Sequence, residues 1–199
     1  MAASRTKFHP LTVARVDPLT DDSAALTFDV PLALREQFRF APGQSVTVRR
    51  AGERRSYSIC AASGKPPRIG VREVADGAVS GWLVHQVRPG DVIEVQAPAG
   101  SFTPDLDRPG HHVLIAAGSG ITPILSIAWS VLAARTDSAV TLIFGNRRSD
   151  TVMFADELAD LKDSYPARAC LVHVLSREPQ EVELFSGRLD PAKLQALLP

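Results

Sequence analysis

Only two cysteines, Cys60 and Cys170, occur in 199 residues, too few to hold an iron–sulfur cluster or to staple a disulfide scaffold. Both stand in apolar, strand-like runs, which predicts two buried small hydrophobes. An excess of one charge is also missing: 22 Lys+Arg balance 22 Asp+Glu, and the basic pairs Arg49-Arg50, Arg54-Arg55 and Arg147-Arg148 form no single stripe. That balance speaks against a nucleic-acid or anionic-membrane partner. No apolar run approaches membrane-spanning length, and the opening Met-Ala-Ala-Ser-Arg-Thr-Lys-Phe lacks the apolar core of a secretion signal, so a cytoplasmic protein is expected. The five histidines, His9, His85, His111, His112 and His173, are scattered, and the adjacent pair would point to opposite faces of a strand, a poor arrangement for one metal. No Gly-x-Ser-x-Gly occurs, which removes the nucleophile elbow of a hydrolase.

What is present reads as an ordinary globular protein, 45% hydrophobic and 22% charged, long enough for one large domain or two of roughly 100 residues. In the first half, Leu11–Val16, Ala24–Val30, Gln44–Arg50, Arg55–Cys60, Arg68–Val74 and Asp91–Ala97 are spaced as the six strands of an antiparallel barrel, punctuated by Pro-Gly, Ala-Gly and Ser-Gly turns. One helical stretch, Gly81–Val87, interrupts them. Beyond a Pro/Gly-rich linker over 98–110, strands (His112–Ala117, Ala139–Phe144, Ala169–Leu175) alternate with helices (Pro123–Arg135, Thr151–Asp163). Near-continuous apolar strands of this kind predict a doubly wound parallel sheet covered on both faces. The expected domains are therefore residues 1–106, the barrel, and 107–199, the α/β domain.

Two stretches carry chemistry. After the strand Val113–Ala117, Gly118-Ser119-Gly120-Ile121-Thr122-Pro123 lets the backbone turn tightly and approach a diphosphate, with Thr122 as the expected N-cap and Pro123 as the expected first helical residue. The next strand ends in Asn146 and Arg147 instead of the acidic residue that would bind an unmodified ribose, and the third ends in Ser176 and Arg177. Guanidinium groups there match a 2′-phosphate and favour NADPH over NADH, with NADH possible; the alternative is that both arginines are solvated strand ends. Earlier in the chain, Arg55 and Tyr57 alternate with Ser56 and Ser58 on one strand, a guanidinium for a phosphate and a ring for a flat heterocycle. Gly77-Ala78-Val79-Ser80 precedes the barrel helix, with Ser80 as the expected N-cap. The bland reading of that half is a hairpin with an exposed Arg/Tyr face.

As an ordered set, Arg55-Ser56-Tyr57-Ser58, Gly70-Val71-Arg72, Gly77-x-x-Ser80, Pro98-Ala99-Gly100-Ser101-Phe102 and Gly118-Ser119-Gly120-Ile121-Thr122-Pro123 resemble the motifs of the ferredoxin–NADP reductase superfamily across nearly the whole chain. Arg-Ser-Tyr-Ser-Ile-Cys and Leu-Val-His-Val-Leu-Ser-Arg-Glu-Pro-Gln are similar, more narrowly, to the reductase subunits of phenylacetyl-CoA epoxidases. The resemblance implies an FAD-binding barrel followed by an NADP-binding domain, in a flavin-dependent oxidoreductase passing hydride from NADPH to FAD. Electrons would then go to an acceptor protein, an oxygenase component or a ferredoxin. It implies that Arg55 binds the FAD pyrophosphate, Tyr57 stacks on the isoalloxazine and Ser58 sits near flavin N5. Gly70, Val71 and Arg72 would line the flavin, Gly77, Val79 and Ser80 would cradle pyrophosphate, and Ser176 with Arg177 would receive the 2′-phosphate.

Members of that family continue past a segment like Gly187-Arg188-Leu189 into another strand, a Cys-Gly-Pro loop and, in the epoxidase reductases, a [2Fe–2S] domain. The NADP-binding domain is therefore expected to be incomplete at its C-terminus, with no iron–sulfur cluster in this chain. Two rivals stand beside this reading. One is a sibling reductase serving another oxygenase or ferredoxin; the other is a non-catalytic FAD/nucleotide-binding module.

Overall fold

Period-2 alternation of apolar residues builds the first half of the computed structural model, which describes residues 7–198. The opening residues, on which the expected lack of a secretion signal rests, lie mostly outside that range. Six strands form, β1 (Phe8–Thr20), β2 (Ser23–Asp29), β3 (Ser45–Arg50), β4 (Glu53–Ser58), β5 (Arg68–Arg72) and β6 (Val92–Gln96), all paired antiparallel in the order β4-β3-β6-β1-β2-β5. An isolated bridge between Ile59 and Ile69, with the Cys60 N–H donating to the Arg68 carbonyl at 2.8 Å, joins the two ends of that order and closes the barrel. Inward-facing Leu11, Val13, Leu26, Phe28, Val46, Val48, Ile69, Val71, Ile93 and Val95 fill it. Each such side chain contributes about 1.5–3 kcal/mol over leaving it in water, so the barrel interior is the main hold on this half. Ala51 and Gly52, both at positive φ (48° and 84°), make the two-residue turn that sets Arg50 opposite Glu53.

The second half places β7 (His111–Ala117), β8 (Ala139–Asn146) and β9 (Ala169–Leu175) side by side in parallel, alternating with α2 (Ile121–Ala134) and α3 (Ala155–Ser164); α1 (Ala78–His85) belongs to the barrel and α4 (Pro191–Leu197) closes the chain. Both α2 and α3 pack with Val140, Leu142 and Phe144 in one cluster, so they share a face of the sheet. The same cluster takes in Ala25 and Cys60 of the barrel, and the Ser126 hydroxyl donates to the Ala61 carbonyl at 2.6 Å. Ten of the fourteen residues of α2 are buried, because the sheet covers one side and the barrel much of the other.

Several local expectations need correction. Helix α1 starts at Ala78, not Gly81, with Gly77 as its N-cap; the Ser80 hydroxyl accepts from the Val74 N–H (3.1 Å) and donates to the Gly77 carbonyl (3.2 Å), closing the preceding turn instead of capping the helix. In α2 the N-cap is Gly120, Thr122 lies inside the first turn donating to the Ser119 carbonyl (2.9 Å), and Pro123 is the third helical residue, where its missing N–H is still harmless. The helix expected from Thr151 starts at Ala155, because Phe154 adopts a left-handed conformation (φ 61°). Cys60 is buried but Cys170 is exposed, since the sheet face opposite the helices is only partly covered. On that face Leu189 covers Gly145, while Val113 and Ile115 of β7 stay 39% and 46% exposed.

Candidate functional site

Strand β4 carries the first set of predicted residues. Register places Arg55 opposite Val48 and Tyr57 opposite Val46, whereas Ser56 and Ser58 face Thr47 and Ser45 on the other side. Tyr57 is half-buried against the edge of the barrel core, and burial pushes its phenol pKa up, opposed by the Arg55 charge. The Arg55 guanidinium is exposed and bonds Glu53 at 2.8 Å. Across the hairpin, Arg50 lies 4.4 Å from the Trp82 ring centroid and donates to the Ala78 carbonyl at 3.0 Å, tying the β3–β4 ribbon to the first turn of α1. Gly77 is the residue this corner requires: a Cβ there would fall 2.5 Å from Ser80 Oγ and 2.8 Å from the Val74 carbonyl oxygen. Val79 and Ser80 are buried, so the helix offers this corner backbone N–H groups and not side chains.

The second set surrounds a cleft of about 610 Å3 walled by both halves of the molecule. Gly118 and Ser119 enter it from the turn after β7, Asn146, Arg147 and Ser176 from the ends of β8 and β9, and Asp22, Arg72 and Glu73 from the barrel. Asn146 is 7% exposed, and its Nδ2 has no hydrogen-bond partner. A buried donor left unpaired costs about 1–3 kcal/mol, which suits a cleft that receives an oxygen-rich ligand. The Arg72 guanidinium bonds Asp22 (3.1 Å) and the Thr151 carbonyl (2.7 Å), and approaches within 3.8 Å the point where a Gly118 Cβ would stand. Glu178 accepts from the Ser149 N–H and hydroxyl (both 2.9 Å), bonds that hold its carboxyl below the usual range and order the loop after Arg147.

Some predicted residues lie elsewhere. Arg177 does not line the cleft; its N–H donates to the Arg147 carbonyl at 2.8 Å. Gly120, Thr122 and Pro123 lie behind it in the start of α2. Val71 points into the barrel core, leaving a ligand no side-chain surface there, and Gly70 sits at the junction of the two halves, where a Cβ would lie 2.6 Å from Phe154 Cζ and 2.9 Å from Thr122 Oγ1. Arg188, with Gly187 and Leu189, lines the cleft and is not among the predicted contacts. In the sequence its Gly-Arg-Leu segment serves only as a family landmark near the C-terminus; the signal that could have found it is a basic residue directly after a glycine. A separate cleft of about 690 Å3 on the outer wall of the barrel, between Thr27, Arg35, Phe40 and Lys65, shares no residue with either set. Among the described residues, no three His, Cys, Asp or Glu side chains group to hold a metal ion, and no helix is long and apolar enough to cross a membrane.

Comparison with known proteins finds two matching domains. Residues 10–103 match the oxidoreductase FAD-binding domain and residues 114–199 the oxidoreductase NAD-binding domain. The chain is 44% identical over 200 residues to a subunit of the 1,2-phenylacetyl-CoA epoxidase of Escherichia coli (strain K12), covering 96% of this chain and 56% of that protein. It is 39% identical over 173 residues to the ferredoxin reductase component of 3-ketosteroid-9-alpha-monooxygenase of Rhodococcus rhodochrous, covering 83% and 48%. The chain thus spans about half the length of these curated relatives. Among solved structures it resembles a ferredoxin NADP+ reductase from Neisseria gonorrhoeae with bound FAD and NADP (TM-score 0.79, 25% identity, 96% of this chain and 77% of that one). It also resembles the Amycolatopsis cytochrome P450 reductase GcoB (TM-score 0.78, 28% identity, 96% and 58%). A closed antiparallel barrel matching the FAD-binding domain, joined to a parallel sheet matching the NAD-binding domain, places the chain in the ferredoxin–NADP reductase-like family of oxidoreductases.

Proposed function

We propose that the chain is the flavoprotein reductase part of an oxygenase system of the phenylacetyl-CoA epoxidase type. It would take hydride from NADPH onto FAD and pass electrons singly to an iron–sulfur or oxygenase partner in the cytoplasm. The observation that carries this reading is a short path between the two motif sets. Ser58 adjoins Ile59, which bridges Ile69, and the neighbour of Ile69, Gly70, abuts Thr122 at the start of the helix that follows Gly118-Ser119-Gly120. FAD, when bound, supplies an acceptor that takes two electrons together and releases them one at a time. The chain positions the reactants. Arg55 with the amides after Gly77, near Val79 and Ser80, would hold the FAD pyrophosphate, Tyr57 would lie against the ring, and Ser56, Ser58, Gly70, Val71 and Arg72 would shape its surroundings.

For the nucleotide, the turn from Gly118 to Gly120 would present backbone N–H groups to the diphosphate, with Thr122 and Pro123 fixing the start of the helix behind it, and Asn146 would meet an oxygen with its unpaired Nδ2. Arg147, Ser176 and Arg177 favour the 2′-phosphate of NADPH over the bare ribose of NADH. We place the boundary between the FAD-binding half (1–106) and the nucleotide half (107–199) in the stretch between β6 and β7. The test is anaerobic mixing of the FAD-loaded protein with NADPH. Loss of the oxidised flavin absorbance is expected; a yellow protein whose spectrum does not change would instead be a non-catalytic binding module.

A further inference from the structure

Arg68 lies two residues before Gly70 on β5, so the two project from the same outer face of the barrel. Its side chain is only 13% exposed, and its Nη2 donates to two carboxylates at once, Asp17 of β1 at 3.0 Å and Glu157 of α3 at 2.9 Å. The first belongs to the barrel and the second to the nucleotide half. Between them the guanidinium lies 5.6 Å from the centroid of the Phe154 ring. Phe154 is itself unusual: fully buried, left-handed in backbone, and the residue from which α3 departs. The tip of its ring occupies the space that a Gly70 side chain would need, next to Thr122.

We propose that Arg68 is a positioning residue: by pairing with Asp17 and Glu157 and lying over Phe154, it holds Phe154 against Gly70, and with it sets how closely α2 and the nucleotide turn approach the flavin strand. Ion pairs of this kind add little net stability over well-packed apolar groups; here, although Asp17 also pairs with Arg15, they tie one guanidinium to fixed points on both halves. The planar guanidinium meets two carboxylates and a ring together, which the point charge of lysine does not reproduce. A residue joined only to its own domain would have no hold on the distance between the two sites; this one is joined to both.

The inference rests on the reading that the two sites hold FAD and NADPH, and its test has a readout independent of turnover. Cys60 is buried within the same junction, its Sγ 3.2 Å from the Arg68 carbonyl oxygen, so its labelling by a thiol reagent, measured over a series of pH values so that the effect of nearby charge on the thiol is separated out, reports opening there. In a Cys170→Ser background, Glu157→Gln and Arg68→Lys should each label at Cys60 at least tenfold faster than the parent. In the FAD-loaded protein, flavin reduction at saturating NADPH should slow at least tenfold, while the dissociation constant for NADPH and the FAD content stay within twofold. Unchanged labelling and reduction rates in both variants, with only a lowered melting temperature, would reduce Arg68 to a structural ion pair and overturn the proposal. If NADPH fails to reduce even the parent, the functional reading falls, and the Cys60 labelling rates alone decide the role of Arg68.

Discussion

Gly70 of the barrel and Thr122 of the nucleotide half meet so closely that a Cβ on Gly70 would stand 2.9 Å from the Thr122 Oγ1. Phe154 Cζ would be closer still, at 2.6 Å. Gly70→Ala should therefore push the halves apart, with an overpacking cost of about 1–3 kcal/mol. For a chain of this length that lowers the melting temperature by roughly 2–4 °C per kcal/mol. Thermal denaturation checks it; a melting temperature equal to the parent's would show that the junction yields freely.

Tyr57→Ala should weaken FAD retention. Losing a ring that stacks on a flat heterocycle costs about 0.5–1.5 kcal/mol beyond the lost burial, a rise of roughly tenfold or more in the dissociation constant. The measurement is the ratio of FAD to protein after gel filtration. A fully loaded variant with an unaltered flavin spectrum would count against stacking.

Arg147 lines the cleft and Arg177 does not. Arg147→Ala should therefore raise the KM for NADPH by roughly 10- to 100-fold, the equivalent of one charged hydrogen bond of about 1.5–3 kcal/mol, and that for NADH far less. Arg177→Ala should act in the same direction and more weakly. Steady-state kinetics with both nucleotides decide it, since equal effects on NADH and NADPH would remove the 2′-phosphate assignment.

Burial pushes the Cys60 thiol up to about 12 from its ordinary 9.0. Between those values the unfolded chain has lost the proton and the folded chain keeps it, so stability is fully present below pH 9 and declines as pH rises towards 12. The slope approaches about 1.4 kcal/mol per pH unit. Urea denaturation at roughly pH 8.5, 9.5 and 10.5 should show a steeper decline for the parent than for Cys60→Ala; parallel curves would mean that the thiol is not protected.

Alternation made the barrel legible, because Val46 and Val48 or Ile93 and Val95 can be inside only if their neighbours are outside. The Gly118–Gly120 turn was legible for a similar reason: glycines between an apolar strand and an apolar helix leave few conformations. Helix starts were not, since the Ser80 hydroxyl had a choice of partners and took the turn behind it. Nothing local marks Arg68 as a link, because Glu157 is 89 residues away in sequence. The exposure of Cys170 depends on what covers the far side of β9, which its own apolar neighbours do not reveal. Helix α4 could have been found: Asp190 accepts from the Lys193 N–H at 2.8 Å, and Pro191 stands next to it at the start.

Strand β4 pairs along its whole length with β3 but meets the β5 side of the barrel through the lone Ile59–Ile69 bridge. The cylinder thus has a seam, and it runs beside Tyr57 and Ser58. Parting there would break few backbone bonds but would uncover Ile59, Ile69 and Cys60, all buried. Whatever rests against Tyr57 at that lip has only an edge to grip, because Ile59 and Ile69 behind it are fully buried and the interior is already filled.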